Sequence, residues 1–176
     1  MKLPTYLPPL VMRNHRYDIS PRRSHTERTL ILLKPDALQR GIAMHILERF
    51  ERRGLRIVGL KLVSVSKSEA SRHYAEHEGK FFFDGLVAHL QSGPVVASIL
   101  EGPKAISIVR AMVGSTRPDE AASGTIRGDL AISGLRNLIH ASDAPETAAR
   151  EISQWFGSGD ILRYERNLDE WVYEAD

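Results

Sequence analysis

The chain has 176 residues, of which 42% are hydrophobic and 26% charged, with 24 Lys and Arg against 22 Asp and Glu. That length suits one domain with its own core, and the composition excludes a collagen-like or wholly disordered chain. No apolar run reaches the ~18 residues of a membrane-spanning helix, and the absence of cysteine excludes disulfides, thiolate metal sites and cysteine nucleophiles.

Residues 1–26 read as an N-terminal extension and residues 27–176 as the folded domain. Pro4, Pro8, Pro9 and Pro21 block regular helix in the extension. Lys2, Arg13, Arg16, Arg22 and Arg23 lie there, so the basic character belongs to the leader and the body is close to neutral. A neutral body argues against nonspecific DNA binding, and nucleic acid is not an expected partner. The leader reads as a flexible or partner-pinned tail, with a nucleic-acid or membrane-surface arm as the alternative. It lacks the apolar stretch of a secretory signal. With no cysteine and no spanning helix, a cytoplasmic location without membrane association is expected.

Thr29 to Leu33 is a continuous apolar run, as in a strand buried on both faces. It ends in Lys34-Pro35-Asp36, where Asp36 and Gln39 have capping-box spacing for a helical turn. Ile42, Ile46, Leu47 and Phe50 predict one buried helix face, stopped by Gly54. Leu55–Val65 reads as a second strand, and helical stretches follow near 68–77 and 81–91. Pro94–Leu100 reads as a third, central strand. Gly102-Pro103 is expected to open a helix with Ile106, Val109, Met112 and Val113 buried and Gly114 as its stop. Residues 115–136 read as irregular, and a loop of that length in a compact domain is usually functional. Asn137–His140 reads as a short fourth strand, followed by a helix capped by Asp143 and carrying Ala148, Ile152, Trp155 and Phe156. This order predicts an α+β fold, a ferredoxin-like α/β sandwich with a four-stranded antiparallel sheet covered by helices.

Several basic side chains sit where folding does not require them: Lys34 at a strand end, Arg110 on the helix after the third strand, and Arg127 in the long loop. Together they suggest an anionic ligand, because arginine forks match phosphate oxygens; Thr116 could add a hydroxyl. His140 could act as a nucleophile if one ring nitrogen is free and the other is held by an acceptor, for which Glu151 is the candidate. The alternative is a core-edge histidine beside a helix-surface glutamate. His73-Tyr74-Ala75-Glu76-His77 also fits the H-x-x-E-H pattern of a zinc peptidase, although the chain is small for such an enzyme. No P-loop or G-x-G-x-x-G is present, so side chains must hold any phosphate. Of Phe81, Phe82 and Phe83, two are expected in the core, leaving the third to stack on a planar ligand such as a base.

From Glu27 to Glu174 the chain resembles nucleoside diphosphate kinases. The resemblance lies in Lys34-Pro35-Asp36 with Gln39-Arg40-Gly41, His73-Tyr74, Phe82-Phe83-x-Gly85-Leu86, Ser92-Gly93-Pro94-Val95, Gly124-Thr125-Ile126-Arg127-Gly128-Asp129, Asn137-x-x-His140-x-Ser142-Asp143 and Trp171-Val172-Tyr173-Glu174. It implies transfer of the γ-phosphate of a nucleoside triphosphate, usually ATP, to a nucleoside diphosphate. The implied route is ping-pong through a phosphohistidine, with Mg²⁺ on the nucleotide phosphates and no metal held by the protein. His140 matches the nucleophile, Glu151 the carboxylate that orients it, and Ser142 the neighbouring hydroxyl. Lys34 and Asn137 match the residues that hold the sugar hydroxyls, with Lys34 also near the transferred phosphate. Arg110, Thr116, Arg127 and His77 match the phosphate-binding set, Phe82 the ring that stacks on the base, and Tyr74 a tyrosine near the lysine. His77 on phosphate competes with the zinc reading.

The chain departs from the family pattern in three places. Ala141 follows the histidine where glycine is usual, Gly134 replaces an apolar residue on the second face of the base, and Arg117 stands where asparagine is common. The resemblance also implies a homo-oligomer, a hexamer rather than the tetramer of some bacterial members. The alternative is a catalytically weak family member that serves as a binding or scaffold protein.

Overall fold

The computed structural model describes residues 26–173, and the expectations for the leader and for Glu174 fall outside them. The fold is α+β and ferredoxin-like, built on four strands: β1 (Thr26–Leu33), β2 (Arg56–Val63), β3 (Val95–Pro103) and β4 (Ile139–Ala141). They lie in the order β2-β3-β1-β4, and every neighbouring pair is antiparallel.

The central strand β1 explains much of the architecture. Leu30, Ile31, Leu32 and Leu33 have no exposed surface, because alternate side chains enter the two layers that cover the sheet. Ile31 and Leu33 pack with α2 (Ala43–Arg52) and α5 (Ala105–Val113), through Ile46, Phe50, Val109 and Val113. Leu30 and Leu32 pack on the other face against Leu90 of α4 (Phe83–Gln91) and Trp155 of α7 (Pro145–Trp155). Burying each of these leucines is worth about 1.5–3 kcal/mol, so β1 is a rigid base for whatever stands at its end.

Three short helices complete the pieces that matter for the site: α1 (Pro35–Gln39), α3 (Lys67–His73) and α6 (Ile126–Leu130). A last helix, α8 (Asp169–Val172), lies near the C-terminus. Strand β2 carries a bulge between Ile57 and Gly59, which leaves Val58 as the extra residue.

Several local expectations are corrected. Asp36 and Gln39 form no capping box: α1 starts on Lys34 and Pro35 without a side-chain cap, and the Asp36 carboxylate is used elsewhere. Asp143 caps nothing either, since α7 starts at Pro145 after Ala144. Residues 115–136 are not wholly irregular, because Thr125 accepts from the amide of Gly128 and nucleates α6. Pro103 does not open a helix; β3 runs through it, and Lys104 turns the chain with a left-handed φ of 51°. The fourth strand begins at Ile139 rather than Asn137. Only one of the three neighbouring phenylalanines is partly buried in the core: Phe83 packs inward, whereas Phe82 is 38% and Phe81 99% exposed.

Candidate active site

His140 lies in β4 opposite Leu32 of β1. Strand alternation sends its ring to one face, while the neighbouring Ile139 and Ala141 enter the core on the other. The Ala141 methyl therefore packs among core side chains instead of crowding the His140 ring. The ring is partly open to solvent, with 21% of its side chain exposed, whereas Glu151 on α7 is 2% exposed.

Both carboxylate oxygens of Glu151 meet His140 Nε2, at 3.1 and 2.9 Å. Ser142 Oγ donates to Glu151 Oε2 at 2.6 Å, and the Ser142 amide bonds to the Leu30 carbonyl, tying the group to β1. Burial pushes the Glu151 carboxyl upward, but the bonds from His140 and Ser142 outweigh it and hold the group below its ordinary value. An ionised acceptor on Nε2 places the imidazole proton there, which leaves Nδ1 with a free lone pair.

Behind His140 stands a second imidazole. The His73 ring lies edge-on to it, with centroids 4.4 Å apart, and its side chain is fully buried. Trp155 Nε1 donates to His73 Nδ1 at 3.3 Å. Because an indole can only donate, Nδ1 must accept and His73 carries its proton on Nε2. Burial, then the nearby His140 and Lys34, drive the His73 pKa well below its ordinary value, so this neighbour stays neutral. Sequence reasoning placed His73 in a zinc pattern with His77. The structure separates the two: α3 ends at His73, and His77 lies on the following 3₁₀ turn. His77 is not part of the His73–His140–Glu151 group, the one set of three close metal-type ligands among the described residues.

The cations converge from three elements. Lys34, at the end of β1 and 4% exposed, donates to Asn137 Oδ1 at 2.7 Å. Asn137 Nδ2 in turn donates to the Thr116 carbonyl at 3.0 Å. Burial, reinforced by Arg127 and opposed by Asp36, lowers the Lys34 pKa to about 8. Arg127 on α6 is buried and donates to the carbonyls of Asn137, Gly114, Ser115 and Ile139. Burial, then Arg110, lowers its pKa to about 10. Arg110 reaches the Ala141 carbonyl at 3.4 Å. Arg117, by contrast, turns outward and is paired with Asp119 and Glu120.

A row of rings leads away from this cluster. His73 meets Tyr74, Tyr74 stacks near His77 at 6.2 Å, and His77 meets Phe82 at 5.6 Å. Tyr74 is buried, which raises its pKa, as does Glu151. His77 Nδ1 lies 3.2 Å from Lys80 Nζ. Gly134, one of the departures from the family pattern, faces open space, and the next residue, Leu135, lies over Gly85 of α4. Hydrogen bonds thus join His140, Glu151 and Ser142 in one group and Lys34, Asn137, the Thr116 carbonyl and Arg127 in a second, while Arg110 reaches the carbonyl of Ala141, the residue after His140. Tyr74, His77 and Phe82 belong to the row of rings.

A nucleoside diphosphate kinase family model matches residues 27–161. The chain belongs to the nucleoside diphosphate kinase family. It is 55% identical over 148 residues to the nucleoside diphosphate kinase of Roseiflexus sp. strain RS-1, covering 84% of this chain and 99% of that one. It is 48% identical to the enzyme of Archaeoglobus fulgidus over 84% of this chain and 98% of the relative. The solved structure of a halophilic nucleoside diphosphate kinase from Halobacterium salinarum in complex with CDP superposes with a TM-score of 0.83 at 44% identity, covering 85% of this chain and all of that one. A Babesia bovis family protein gives a TM-score of 0.81 at 44% identity, covering 84% of this chain and 99% of that one. The protein is an enzyme of this kind, a nucleotide-binding phosphotransferase.

Proposed function

We propose that the protein moves the γ-phosphate of a nucleoside triphosphate, ATP foremost, to a nucleoside diphosphate by a ping-pong route through a phosphohistidine on His140. The supporting observation is the pairing of His140 Nε2 with Glu151, which leaves Nδ1 as the nucleophile. The Nδ1 lone pair attacks the γ-phosphorus while the bond from that phosphorus to the β-bridging oxygen breaks, and the diphosphate leaves with the electron pair. The imidazole becomes cationic, and Glu151 stabilises it. A terminal oxygen of the second diphosphate then attacks the phosphohistidine, and Nδ1 recovers its lone pair. Lys34, Arg110 and Arg127 neutralise charge spread over the transferred oxygens. Asn137 and Lys34 hold the sugar, Thr116 and His77 face the phosphates, Phe82 stacks on the base, and Tyr74 backs the lysine.

Mg²⁺ enters with the nucleotide phosphates. The group His73, His140 and Glu151 is rich in imidazole nitrogen, a donor set unlike the oxygen shell this cation prefers. Assembly into a homo-oligomer, for which the family resemblance favours a hexamer over a tetramer, is supported only as association by β2, an edge strand on which Leu60 and Leu62 are 51% and 65% exposed. None of the described helices is long and apolar enough to cross a membrane, and we place the enzyme in the cytoplasm.

Incubation with γ-labelled Mg-ATP is expected to give one acid-labile, base-stable phosphate on His140, discharged by a second diphosphate. A His140→Asn protein that still took up label would refute the assignment.

A further inference from the structure

Two residues upstream of His140 the backbone does something costly. Leu138 has φ 71°, a left-handed value that an aliphatic L-residue rarely adopts. The Ile139 amide bonds to the Asn137 carbonyl at 2.8 Å, so residues 137–139 form a three-residue γ-turn of the strained hand. Such a conformation persists only where the surroundings hold it.

The holding groups are identifiable. The Leu138 amide donates to Asp36 Oδ2 at 3.0 Å, and the Lys34 amide donates to the Leu138 carbonyl at 2.8 Å. The other oxygen of Asp36, Oδ1, lies 3.0 Å from His89 Nε2 on α4. Both side chains are buried, at 8% and 7% exposure, and Leu138 is fully buried. Burial raises the Asp36 carboxyl, but the bond and charge of His89 and the Leu138 amide outweigh it, so the group is held as the carboxylate.

The consequence is geometric. In an uninterrupted strand, residues 137 and 140 would face opposite sides of the sheet. The turn breaks that alternation. Asn137 can then reach Lys34, and Lys34 lies close enough to His73, the ring against His140, to repel its proton. We propose that Asp36 and His89 are positioning residues, which hold the strained turn at Leu138 and through it set Asn137 and the His140 ring toward one nucleotide. The inference rests on His140 being the nucleophile.

Single-turnover phosphorylation of the full chain by γ-labelled Mg-ATP tests it. Asp36→Ala is expected to slow labelling of His140 by about a hundredfold, and His89→Phe by about tenfold, with nucleotide affinity changing far less than the rate. Asp36→Asn, which keeps an oxygen acceptor for the Leu138 amide, is expected to recover most of the rate. Phe50→Leu, a core substitution that leaves Asp36, His89 and Leu138 in place, serves as a control for lost stability and is expected to label normally.

The proposal is overturned if a folded Asp36→Ala protein labels at the wild-type rate, if Asn rescues nothing, or if Phe50→Leu loses as much as Asp36→Ala at the same drop in Tm. Should Asp36→Ala not fold, His89→Phe labelling at the wild-type rate overturns it. A wild-type protein that carries no phosphate on His140 refutes the catalytic reading instead, and the two failures are therefore distinguishable.

Discussion

The two ends of the proposed nucleotide site are built differently. At the phosphate end, His140, Glu151, Ser142, Lys34, Asn137 and Arg127 sit in or beside the central sheet, and each has a hydrogen-bond partner. At the base end, His77, Phe81 and Phe82 meet through ring faces and edges, and Phe82 and Phe81 are exposed. The first end is fixed because phosphoryl transfer depends on placing charge within a fraction of an ångström. The second can be loose, because every base offers a π-face to an aromatic ring. An enzyme organised in this way is strict about the chemistry and tolerant about the base.

Breaking the fixed end should have the largest effects. Glu151→Ala is expected to lower kcat by about a thousandfold, since it frees the imidazole tautomer and leaves the developing cation without a counter-charge. Ser142→Ala, which removes one donor to Glu151, should cost about tenfold; a coupled assay ranks the two. Lys34→Gln should cost about a hundredfold at neutral pH. Wild-type kcat/KM should also fall as pH rises through about 8, because the depressed Lys34 is cationic below that value and neutral above it. A pH profile of Lys34→Gln that kept this alkaline limb would assign it to another group.

The loose end should respond more mildly and in binding. Phe82→Ala is expected to raise KM about tenfold, by a similar factor for purine and pyrimidine nucleotides, with kcat little changed. A loss confined to one base would contradict base-tolerant stacking. The smallest effect is outside both ends: Lys104→Gly relieves the left-handed φ of 51° at an exposed turn. It should raise stability by about 0.5–1 kcal/mol, seen as about 2 °C in Tm with unchanged activity.

Much of the fold and site was legible in the sequence because local signals and side-chain chemistry agreed. The run Leu30–Leu33 announced a doubly buried strand, and the stripe Ile106, Val109, Val113 announced α5. Lys34, Arg110 and Arg127 stood out as charges with no evident folding role, yet Arg127 proves to hold four backbone carbonyls as well. What escaped were roles set by distant partners. Asp36 looked like a helix cap because three-residue spacing is a local pattern, yet its partner is an amide 102 positions away. That amide is free to bond there only because Leu138 leaves the strand geometry that its neighbours favour. His73 looked like a metal ligand because periodicity cannot show that Trp155 occupies its Nδ1. Two of Phe81, Phe82 and Phe83 looked like core residues because a helix was read from 81, whereas α4 starts two residues later.

Strand β4 has only three residues and pairs throughout with the fully buried end of β1, Leu32 lying directly across from His140. β4 is also an edge of the sheet, so the backbone that carries the His140 ring is held by three residue pairs to β1 and by the burial of Ile139 and Ala141, and it can open without the rest of the sheet. Amides of β1 that bond to β3 should be among the last to exchange with deuterium, near the free energy of global opening, and those of 139–141 should exchange earlier, through local opening of the edge. Loss of turnover on heating or in denaturant should then run ahead of the loss of folded molecules by the fraction in which β4 has left the sheet.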